Sequence, residues 1–84
     1  MKKNNENKTP KTNARDAYQA RRNDIARLID VLEMELDKHA EAAKANERDW
    51  GYVGDLGKIR NDLIDLVGFM SKMDREAIEN FLAE

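Results

Sequence analysis

His39 is the only histidine in this sequence, and Glu35 lies one helical turn before it. A Glu/His pair at that spacing can hold a metal ion. Di-metal helical bundles instead carry Glu-x-x-His, three residues apart, with further carboxylates on facing helices. Leu36 occupies that position here, so the motif fails. Ser71 is the only serine and cysteine is absent, and no histidine stands near Ser71 in sequence; a Ser–His or Cys–His nucleophile therefore has nothing to rest on. Carboxylates are abundant, among them Glu33, Glu35, Asp37, Glu41, Asp55, Asp62 and Asp65, and two of them could form an acid and base pair. They fall mostly off the apolar stripes, which is the placement of a solvated face. The run WGYVGDLGKIR gathers Gly51, Gly54 and Gly57 where a helix could start and hold an anion. It lacks GxxxxGK[ST], and no strand precedes it as a dinucleotide fingerprint requires. The sequence predicts no enzyme, no cofactor and no metal, with His39 a hydrogen-bonded residue on an apolar seam.

The elements that carry these residues are helices. Tyr18, Ile25, Leu32, His39 and Asn46 recur every seven residues, and Arg22, Ile29, Leu36, Ala43 and Trp50 form a second sevenfold series four residues on. Taken as heptad positions d and a, they form one seam, widened by Leu28 at g and by Ala26 and Ala40 at e toward the face of a globular bundle. No proline or glycine interrupts this run before Gly51, and helix-forming residues dominate its middle. A long helix over about 14–49 follows, N-capped by Asn13 and ended by Gly51 in left-handed geometry or, a turn earlier, at Asn46. Leu56, Ile59, Leu63, Leu66 and Met70 give a second helix over about 53–71. Asp74 as N-cap, with Met73 stapling Ile78, gives a third over about 74–83. The fold class expected is all-α. The second helix runs back antiparallel along the first, the third folds across the first helix's N-terminal half or continues beside it, and Trp50, Gly51, Tyr52, Gly54 and Gly57 form the hairpin corner.

At 84 residues a single core is near the lower limit of independent stability, and oligomerisation is a common remedy. Val31 and Met34 lie off the main stripe of the first helix, and Ile64 and Phe69 off that of the second. These four predict a symmetric homodimer resembling a four-helix bundle, built by a non-enzymatic module that engages itself and another protein. The alternative is a nucleic-acid accessory protein. Residues 1–13 read as a disordered basic arm with Lys2, Lys3, Lys8 and Lys11, ahead of the domain at 14–84, and Arg15, Arg21 and Arg22 follow it. A formal charge of −2 argues against that reading. The longest apolar runs fall short of a membrane span, and no apolar stretch follows the first lysines, so the expected setting is cytoplasmic and away from membranes.

Overall fold

Three helices make up residues 10–84, the part of the chain that this computed structural model describes: α1 (Pro10–Ala45), α2 (Trp50–Ser71) and α3 (Arg75–Ala83). No strand occurs among the described residues. The chain divides into two units, Met1–Ala40 and Glu41–Glu84.

The all-α expectation holds, with different boundaries. α1 is already running at Asn13, which is therefore not its N-cap. Its first residue is Pro10, a position where the missing N–H costs nothing and the fixed φ suits the helix. Residues 10–13 of the expected arm are thus helical, and residues 1–9 lie outside the described residues. Unit Met1–Ala40 contributes the greater part of this helix, and no side chain described in it is buried.

Unit Glu41–Glu84 holds the rest. α1 stops at Ala45, the earlier of the two ends the sequence allows. Asn46 N donates to Ala43 O at 3.0 Å and Asn46 Nδ2 to Ala42 O at 2.9 Å, closing the end with a tightened turn. Asp49 then starts α2: its backbone is extended (φ −88°, ψ 104°) and its Oδ1 accepts from Gly51 N at 2.8 Å. Trp50 and Gly51 are consequently the first residues of α2 and do not end α1. No glycine among the described residues has positive φ, so Gly51 is not a left-handed terminator. Its smallness serves the cap, because a Cβ there would sit 2.9 Å from Asp49 Oδ1.

The glycines of α2 differ in what surrounds them, and a stability series separates them. Nothing lies within 4 Å of a Cβ built on Gly54 or Gly57, so neither glycine makes room for a neighbouring side chain. Replacing either by alanine should stabilise the chain by about 0.5–1 kcal/mol, the helix-propensity difference. Gly51→Ala should give no such gain, since it displaces a cap that contributes about 1 kcal/mol. Melting temperatures of the three variants check this. A rise for Gly51→Ala matching that of Gly54→Ala would mean the cap carries no weight.

Within this unit α3 folds back onto α2. Lys72 makes the reversal in left-handed geometry (φ 67°, ψ 12°), with its N–H donating to Gly68 O at 2.9 Å. Ser71 Oγ donates to Val67 O at 2.7 Å and accepts from Met73 N at 3.2 Å. Asp74 Oδ1 accepts from Ala77 N at 2.8 Å, the N-cap expected from sequence. Where the helices meet, a Cβ on Gly68 would come 3.3 Å from Met73 O and 3.6 Å from Ile78 Cδ1. Gly68 is therefore a seat for Ile78. Ile64, one turn before it, and Ile78 are the only buried apolar residues among those described, 4% and 5% exposed.

Candidate interaction surface

The polar groups that could do chemistry are engaged in holding helices. Ser71's hydroxyl closes the turn after α2, and the N-terminus of α2, where a phosphate would bind, is occupied by the Asp49 carboxylate. His39 is half-buried on α1. Glu35, its partner in the rejected metal motif, accepts from Lys38 Nζ at 3.0 Å. No group of three metal-ligating side chains gathers among the described residues. Lys58 Nζ lies 2.6 Å from Asp62 Oδ2, and this hydrogen bond, together with the carboxylate's charge, raises the Lys58 pKa above its usual 10.5. These are exposed helical pairs, individually of small energy.

Arg75 carries a cluster that the sequence did not disclose. Its Nη1 lies 3.1 Å from Asp65 Oδ1, its Nη2 donates to Asn61 Oδ1, and its Nε lies 2.9 Å from Glu79 Oε2. Asn61, Asp65 and Gly68 share one face of α2, so the guanidinium fastens α3 beside the seat of Ile78 on Gly68. Asp65 read as a purely solvated residue because its partner belongs to another helix.

The distinctive surface is apolar. On α1 the seam residues Ile25, Leu28 and Ile29 are 56%, 64% and 59% exposed, and Tyr18 and Leu36 are exposed as well. Leu32 is half-buried between them. Val31 and Met34, the residues expected to face a second copy, are exposed too, so exposure does not single them out from the seam. Ile64, named with them, is not available: it is buried within its own unit. Phe69 stays exposed, with Lys72 Nζ 5.2 Å from its ring centroid. At the corner Trp50 projects into solvent, while the Tyr52 phenol accepts from Asn46 Nδ2 at 3.4 Å.

Arg15, Arg21 and Arg22 of the nucleic-acid alternative are exposed on α1, where Asp16 and Asp24 interleave with them. Arg21 Nη1 donates back to Ala17 O at 3.3 Å. Lys11 falls within α1, and Lys2, Lys3 and Lys8 lie outside the described residues. No helix among the described residues is long and apolar enough to cross a membrane. Comparison with known protein families, characterised proteins and solved structures returns no match.

Proposed function

We propose that this chain is a non-enzymatic, oligomerising protein–protein interaction module that works as a homodimer. In this reading two copies join in an assembly of four-helix-bundle type, to which each contributes α1 and α2, and the outer face of the bundle engages a further protein in the cytoplasm. The observation that carries it is the bare seam of α1: Ile25, Leu28 and Ile29 stand on one face, each more than half exposed. Contiguous apolar surface of this kind marks an association site rather than the scatter normal on soluble surfaces. An isolated helix gains little from propensity alone, so a seam that becomes covered stabilises the helix that bears it. No cofactor or metal enters the reading.

Sedimentation equilibrium of the full chain, from low micromolar to near-millimolar concentration, tests it. The expected mass rises to twice the 9.7 kDa of the chain. A mass that stays at 9.7 kDa throughout overturns the reading. Loss of the dimer in high salt together with capture of single-stranded DNA in low salt would move the weight to the nucleic-acid alternative.

A further inference from the structure

Charge along α1 is polarised. From Ala14 to Ile29 four arginines stand against two aspartates, and from Asp30 to Ala45 five carboxylates stand against two lysines. The seam itself repeats the pattern, with Arg15 and Arg22 at its a positions and Arg21 at g early on, then Glu33 at e and Glu35 at g. Two such helices laid parallel would bring Arg22 onto Arg22 in the middle of the interface, and each acidic half onto its like. Reversing one helix places each basic half beside an acidic half. Like charges across an interface are a strong selector of orientation.

Resting on the proposal that the chain dimerises, we infer that two copies pair through the α1 seam in antiparallel, about a twofold axis at the level of Arg27, so that Arg21 of each copy meets Glu35 of the other. The register follows from the charged residues at the edge of the seam. With the axis at that level, Ile25 lies opposite Ile29 of the other copy, Tyr18 opposite Leu36 and Arg22 opposite Leu32, while the two Leu28 residues flank the axis one residue from it. Antiparallel heptads pair g with g, and Arg21, Leu28 and Glu35 are all g positions, symmetric about Leu28. A shift of one heptad in one direction sets Leu28 against Glu35 and Arg22 against His39. A shift in the other sets Arg21 against Leu28 and leaves Leu36 facing Lys11. A one-heptad shift still pairs Ile25 with Leu36 and Ile29 with Leu32 in the seam; only the central register sets Arg21 beside Glu35 along the edge, and that pairing selects it. Both charged groups are exposed on the free chain and have capacity left. Glu35 presents a single oxygen, Oε2, to Lys38 Nζ at 3.0 Å, and Arg21 uses Nη1 toward Ala17 O at 3.3 Å.

The chain lacks cysteine, so single cysteines can be introduced for spin labels without a background. Arg27→Cys and Lys44→Cys, each labelled in the full chain, should give inter-label distances within about 30 Å and of roughly 50 Å respectively, from the helix rise and the spacing of paired helices. Arg21→Glu and Glu35→Arg should each weaken dimerisation roughly tenfold by turning two attractive pairs into repulsive ones, and the double exchange should restore it. Circular dichroism confirms that each variant keeps its helix. Short distances at Lys44, or a double exchange no tighter than the single ones, would overturn the antiparallel register while the dimer itself stands. A chain that stays monomeric at every concentration overturns the register and the dimer together.

Discussion

Truncation of Ile78 to alanine releases α3 from α2. Ile78 is one of two buried apolar side chains among the described residues, and it sits on Gly68 with nothing else of its size to replace it. Ile→Ala at a buried site costs about 2–5 kcal/mol. A helix of nine residues has no independent stability to set against that loss, since isolated helices need roughly 12–15 residues to be even marginal. Hydrogen exchange should show the amides of Ile78 to Ala83 losing their protection, and trypsin should cut after Lys72 and Arg75 sooner than in the parent chain. Ile64→Ala should act similarly. Arg75→Ala should do much less, because its bonds to Asp65 and Glu79 are exposed and such pairs contribute about 1 kcal/mol or less each. If Arg75→Ala releases α3 and Ile78→Ala does not, the docking is electrostatic and the burial incidental.

On the proposed dimer, lysine in place of Ile29 should abolish self-association. In a twofold pair the substitution counts twice, and each buried isoleucine contributes about 1.5–3 kcal/mol, so the dissociation constant rises at least a hundredfold. Ile25→Lys should match it, because the proposed antiparallel register sets the two residues opposite each other. Met34→Lys and Val31→Lys provide the comparison. They stand on the far side of α1 from the seam, and a dimer built on the seam tolerates both. Sedimentation of the four variants at one concentration is decisive. Dissociation by Met34→Lys but not by Ile29→Lys would return the interface to the residues first suggested by sequence.

The helices themselves were legible because heptad and three-four spacing report on apolar side chains directly. So was the cap at Asp74, where an acidic residue precedes a short apolar run. The end of α1 was less so, for a physical reason: Asn46, Asp49 and Gly51 each carry an end signal, and three signals within six residues compete. The chain resolves them as a tightened turn at Asn46 and a fresh start at Asp49, which leaves Gly51 inside a helix. Lys72 shows the converse, a left-handed residue in a type that gives no warning of it. Ile64 was misplaced because the face it shares is completed by Gly68. A glycine that serves as a seat adds nothing to a hydrophobic count, so the stripe facing α3 had only one visible member. The Arg75 cluster was hidden similarly, since its partners on α2 lie ten and fourteen residues away in sequence.

Those separations also set a timescale. The bond from Arg75 to Asn61 closes a loop of only fourteen residues. Loops of that size close in tens to hundreds of nanoseconds, and chains dominated by such local contacts fold within microseconds to milliseconds. The contacts within the Glu41–Glu84 unit therefore form on that timescale, before any association of two chains. On the proposed dimer, refolding should accordingly separate into a fast phase independent of concentration and a slower one, second order in protein.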